Sequence, residues 1–253
     1  MKASARLVVE ADPAGRTTVR ELASASPLTL LPQRGRVRRA GEPAVVHLVS
    51  SATAPLGGDD LHLSVLVGPG AALRLSGVAA SLALPGHRGE PSRYTVHIEV
   101  AEGGAVQYLP EPTVITARAW HSARLTVNLA ATARVRCREV LVLGRSGERA
   151  GRFTGESHVL RDGTALLRQR IEIGDEELFR SAAYLAGRRV LATETVVWGA
   201  DPENALSSDW WSLQPMARGG SLATALAEDA VAAEQGLRAA LTGHPGLAAQ
   251  APD

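Results

Sequence analysis

Two carboxylates in this chain sit where phase or neighbouring residues fix their direction. Around the single cysteine, Val135, Cys137, Leu141 and Leu143 alternate with Arg134, Arg136 and Arg138, and the apolar phase also contains Glu139. A strand in that register aims Glu139 inward. A buried carboxylate is costly unless paired or hydrogen-bonded, so Glu139 marks either an internal salt bridge or the wall of a polar channel. Glu111 stands between Pro110 and Pro112, where the backbone has little freedom and each proline removes an amide donor. That rigidity suits a plain strand-to-loop exit or a carboxylate held at a fixed point.

The remaining chemistry-bearing residues admit a structural and a functional reading. Shifting one strand by 33 residues places Thr95 opposite His62, so His62 and His97 share a face and lie diagonally on neighbouring strands. They are either two solvated strand histidines or an imidazole pair for a transient soft cation. Asp59 and Asp60 follow Gly57 and Gly58, a pattern of a turn with an Asx cap or of a hard-cation site. The stripe of Arg134, Arg136 and Arg138 reads as a solvated face or as a surface for an acidic partner. Trp210 and Trp211 follow Asp209 in a loop-like stretch from Asp201 to Ser212. Adjacent tryptophans on a strand cannot both face inward, so one of them is a candidate partner anchor. Cys137 reads as a small core filler.

Enzyme signatures are missing: no nucleophile elbow, phosphate loop, HExxH helix or cysteine-pair zinc pattern occurs. One cysteine rules out an internal disulfide framework and points to a reducing compartment. Charge is balanced, 27 basic against 26 acidic residues, so no global field draws nucleic acid or an anionic membrane. All the basic residues except Lys2 are arginine, which reads as the codon bias of a GC-rich genome. The first ten residues carry Lys2, Arg6 and Glu10 and no signal-type apolar run, and no stretch reaches the roughly 18 apolar residues of a membrane span. A cytoplasmic protein is expected.

The elements that must position these residues are strands. Tyr94, Val96, Ile98 and Val100 alternate with Thr95, His97 and Glu99, the period of a half-buried strand. A strand, small-residue turn and second strand then recur. The copies begin at Val67, Val100, Leu129 and, more loosely, Leu160, with steps of 33, 29 and 31. A period near ~30 in strand-rich sequence suggests stacked units that cover one another's apolar faces, a β-helix or solenoid. A double-sheet sandwich with regular hairpins is the alternative. Near the end, Leu222, Thr224 and Leu226 form a last strand and Asp229 caps a short helix through Leu241, stopped at Thr242-Gly243-His244-Pro245. The chain divides into one β-rich domain, 1–243, and an expected disordered tail, 244–253.

Several ordered blocks resemble the UreD (UreH) family of urease accessory proteins. Pro55-Leu56-Gly57-Gly58-Asp59 with Val67-Gly68-Pro69-Gly70-Ala71 is similar to its GGD…VGPGA block. Leu109-Pro110-Glu111-Pro112-Thr113-Val114 is similar to its LPEPTI block, and Glu139 to Arg145 to its E…LGR strand. The likeness runs from about residue 5 to residue 241. It implies an all-β, β-helical fold with a short C-terminal helical segment and no catalytic activity. It implies a maturation scaffold that binds UreF, reaches the GTPase UreG through UreF and docks on apo-urease, with no cofactor held permanently and nickel passing transiently through its interior. Glu139 and Glu111 fall in matching blocks and become the leading candidates for lining that route, with Asp59, His62 and His97 behind them. One departure stands out: Gly147-Glu148 comes early and Gly151-Arg152 occupies the later place, so no role passes to Glu148. The competing readings are a β-helical carbohydrate-active enzyme, which needs paired carboxylates beside a sugar groove, and a passive binding module.

Overall fold

Alternating apolar residues build strands whose inner rows need a second sheet to cover them, and the computed structural model, which describes residues 1–33 and 39–248, supplies it by coiling. The chain opens with two antiparallel pairs, β1 (Lys2–Ala11) with β2 (Thr17–Ala23) and β3 (Leu28–Pro32) with β4 (Ala44–Ser50). Coils then follow, each with one strand per sheet and a short strand at the corner where a third follows. The first has β5 (Asp60–Val67), β6 (Ala72–Gly77) and β7 (Ser81–Ala83), and the second β8 (Ser92–Val100), β9 (Ala105–Leu109) and β10 (Thr113–Ile115). The third has β11 (Trp120–Leu129) and β12 (Arg134–Leu143), after which β13 (Arg152–Arg161) folds back on β14 (Thr164–Ile173). The result is a β-solenoid of about 4 turns, 53% strand and 9% helix.

In one sheet β1, β5, β8, β11 and β13 run parallel, with β2 and β14 as antiparallel edges. In the other, β4, β6, β9 and β12 run parallel and continue into antiparallel strands. The steps read from the sequence reappear as register: His62 lies opposite Thr95 and Val67 opposite Val100, which lies opposite Leu129. The third step is corrected. Leu129 lies opposite Arg161, one residue beyond Leu160, and Asp162-Gly163, both at positive φ, close the β13–β14 hairpin rather than another coil.

Inner rows such as Val65, Ile98, Val127 and Val159 are almost fully buried, and each aliphatic side chain so placed stabilises the fold by about 1.5–3 kcal/mol. After α1 (Glu176–Arg180), the second sheet is extended by β15 (Val190–Val197), then β16 (Leu206–Ser208), β17 (Trp211–Pro215) and β18 (Ser221–Ala227). The stretch from Asp201 to Ser212, expected as loop, thus contains a hairpin strand. β18 matches the expected last strand, and α2 (Ala230–Thr242) starts at Asp229, whose carboxylate accepts from Ala232 N at 2.8 Å. Ala233, Leu237 and Ala240 of α2 are buried against β15, β17 and β18, which is why β15 is buried on both faces.

Residues 244–248, expected as part of a disordered tail, are ordered. His244 is buried, and α3 (Pro245–Ala248) docks through Gly246 N on Ala200 O at 3.1 Å. Residues 249–253 of that expected tail lie outside the described residues.

Candidate functional site

The ladder of the second sheet is interrupted beside Glu139. Tyr108 pairs with Cys137 and Thr113 with Leu141, so five steps along one chain meet four along the other and the Pro110-Glu111-Pro112 segment bulges out. Without amide hydrogens at the two prolines, the segment cannot continue the ladder. Beneath it, Gly77 at the end of β6 lies so close that a Cβ there would stand 2.8 Å from Glu111 Cγ. In the facing sheet, Ala123 and Gly155 occupy the row headed by Leu61 and Tyr94. Ala123 in one wall and the broken ladder in the other leave a cavity of about 130 Å³, with the Phe153 ring lying over Gly155.

Its lining joins apolar surface to Tyr94, Tyr108, His121, Glu111 and Glu139, and to Arg138, Arg124 and Glu156, of which Glu156 is paired with Arg124 and Arg170. Burial pushes the Glu139 carboxyl up to about 7. Among the described residues no hydrogen bond or ion pair reaches Glu139, so the internal salt bridge is not formed, and the residue lines the cavity. Burial holds the Tyr94 phenol up at about 12, against the opposing pull of the Tyr108 hydroxyl beside it. Tyr108 is pushed higher still by burial and by the Tyr94 phenol beside it. His121 is 3% exposed, its Nδ1 lies 2.9 Å from Ser92 Oγ, its ring tilts against Phe153, and burial lowers it to about 4. Cys137 is a buried thiol, raised by burial and then by Glu194, and fills the core as expected.

The other candidates lie elsewhere. Asp59 is buried, but it accepts from the Met1 ammonium and from Leu56 N, both at 2.8 Å, which is the turn reading. His62 and His97 share the outer face of the seven-stranded sheet, where His62 Nε2 meets Asp60 at 3.0 Å and His97 Nε2 meets Glu99 at 2.9 Å. Neither reaches the cavity. Glu148 caps its own loop, and its bonds from Arg145 lower it to about 2. No group of three or more histidine, cysteine or carboxylate side chains among the described residues could hold a metal ion.

The arginine stripe is not the solvated face expected of it. Arg136 pairs with the buried Glu194 at 2.6 Å, Arg134 stacks over Trp198 with its guanidinium carbon 5.1 Å from the ring centroid, and the Arg138 Nε is buried. The C-terminal part of the chain covers the strand side that these arginines occupy. The tryptophans divide as the alternation demands. Trp211 packs against the core beneath α2, while Trp210 is 43% exposed with Arg188 stacked 3.8 Å from its centroid.

Sequence reasoning missed Tyr94, Tyr108 and His121. Their signal was available, since each shares the inward phase of its strand with buried aliphatics, but that phase alone does not separate a cavity wall from a filled core.

Residues 1–250 match the family described as UreD urease accessory protein. The chain is 59% identical over 245 residues to the protein named urease accessory protein UreD 1 of Saccharopolyspora erythraea, covering 97% of this chain and 96% of that one. Urease accessory protein UreD of Frankia alni is 39% identical over 94% of this chain and 92% of its own length, and that of a Parafrankia species 37% over 92% and 85%.

Proposed function

The chain belongs to the UreD urease accessory protein family, and from that premise we propose that it serves urease maturation as a non-catalytic scaffold whose interior passes nickel. In this reading it links apo-urease to UreF and, through UreF, to UreG, in the cytoplasm. The observation that carries it is Glu139, a buried carboxylate lining a cavity inside the solenoid, with no hydrogen bond or ion pair to it among the described residues. A buried acid without a structural partner stabilises nothing by itself. It does give a cation arriving in the cavity an oxygen ligand and a place to displace a proton.

The same geometry argues against the carbohydrate reading. A cavity of about 130 Å³ is below the roughly 300–1,000 Å³ of ligand clefts, and the wider groove of about 370 Å³ beside Trp120, Arg118 and Arg152 has no carboxylate in its lining, whereas glycoside hydrolysis needs a pair. Trp210, exposed and stiffened by Arg188, is the better of the two tryptophans for a partner contact.

The test is Glu139→Gln, which keeps shape and hydrogen-bonding capacity and removes the charge. The variant is expected to fold and assemble with its partners yet yield urease with less nickel and less activity. Normal nickel content in urease matured with a well-folded variant would sink the route.

A further inference from the structure

Glu139, Glu111 and the two phenols offer only oxygen to a passing cation, and oxygen donors do not distinguish nickel from the far more abundant magnesium. One nitrogen donor lines the same cavity. His121 stands at the start of β11 in an inward row between Ser92 of β8 and Phe153 of β13. Its ring is fixed in place by its neighbours: Nδ1 lies 2.9 Å from Ser92 Oγ, and the Ser92 hydroxyl spends its own hydrogen on the Trp120 carbonyl at 3.4 Å. A Ser92 hydroxyl hydrogen directed at that carbonyl makes Nδ1 the donor to Ser92 and leaves the lone pair on Nε2, the tautomer on which this inference rests. No hydrogen bond among the described residues engages Nε2. A ring nitrogen tied back by a neighbouring oxygen while the other is left open is the arrangement that orients ligating histidines.

We propose that His121 Nε2 is a soft-donor station within the cavity, the point at which the route favours a nickel-class cation over magnesium or calcium. Imidazole suits nickel, whereas carboxylate, carbonyl and water suit magnesium and calcium. Because no three-donor cluster exists among the described residues, the station offers one protein nitrogen, and water or a single carboxylate completes the shell. That is a site for touching and releasing an ion, not for keeping it. The inference rests on the nickel-cargo reading and deepens it.

Two measurements test it. In the full-length protein, imidazole NMR signals followed during titration with nickel chloride are expected to show His121 broadened by the paramagnetic ion and unmoved by a tenfold excess of magnesium chloride. Broadening confined to the exposed His62 and His97, with His121 sharp, overturns the proposal. Second, His121→Asn keeps an N–H for Ser92 and removes the ring lone pair. Urease matured with it at limiting nickel and millimolar magnesium is expected to hold severalfold less nickel than with the unaltered protein. Full nickel with His121→Asn beside a deficit with Glu139→Gln overturns the station and leaves the route standing, and full nickel with both removes the route as well. Should His121→Asn fail to fold, the NMR titration on the unaltered chain decides alone.

Discussion

Glu139 carries a consequence for stability that does not depend on any partner. Its folded value, about 7 against an ordinary 4.5, means that the folded chain holds a proton that the unfolded chain has already released. The stability this contributes is fully present below pH 4.5 and is lost as pH rises through 7. The difference approaches about 3 kcal/mol at most and shrinks with any water sharing the cavity. Urea denaturation should therefore show Glu139→Gln close to the parent at pH 5 and more stable at pH 8, with a flatter profile between. A Gln variant less stable at pH 8 would mean that the carboxylate has a counter-ion after all. Glu139 was legible because four apolar neighbours set its phase. His121 was not, because its inward phase looks the same whether it faces a filled core or a cavity, and only the Ser92 and Phe153 contacts across the coil decide.

The strands and the C-terminal helix show which local signals suffice. The repeat period was readable because parallel coils repeat the same inward phase, and the 33- and 29-residue steps became register without a slip. The 31-residue step failed by one because Asp162-Gly163 closes a hairpin instead of a coil corner, and both corners use the same small residues. Asp229 declared its helix through a cap that needs no tertiary information, and Asp229→Ala should cost about 1 kcal/mol in chemical denaturation. The segment beyond it was misread because its order comes from a tertiary contact. Gly246 meets the Trp198 carbonyl so closely that a Cβ would stand 1.8 Å from that oxygen. Gly246→Ala should therefore lift α3 and uncover His244, seen as faster amide hydrogen exchange from 243 to 248, with the solenoid strands keeping their protection. Unchanged exchange there would mean that α3 is not held by this contact.

On the nickel-cargo reading proposed above, the question at the scale of the whole molecule is how a protein favours a metal ion and still lets it go. A solenoid is well suited to enclosing a path, because every coil contributes one inward residue per row and small residues at matching positions leave a continuous gap without breaking the outer ladders. Here the gap is lined by Gly77 and Ala123 with Pro110 and Glu111 of the bulge, and no group of three or more histidine, cysteine or carboxylate side chains among the described residues converges to hold a metal. Convergence would make a trap. A dissociation constant of 1 nM corresponds to about 12 kcal/mol of binding, all of which a receiving protein would have to exceed before the ion moved on. Scattered donors, each making one or two contacts, keep every stop shallow. Calorimetric titration of the purified chain with nickel should accordingly give a weak isotherm of several sites, micromolar or looser. Glu139→Gln and His121→Asn should each weaken it further without abolishing it, because outer-face pairs such as His62 with Asp60 also take up some metal. A single stoichiometric site well below micromolar would show that the donors do converge once the ion enters, and the chain would then be a nickel store rather than a passage.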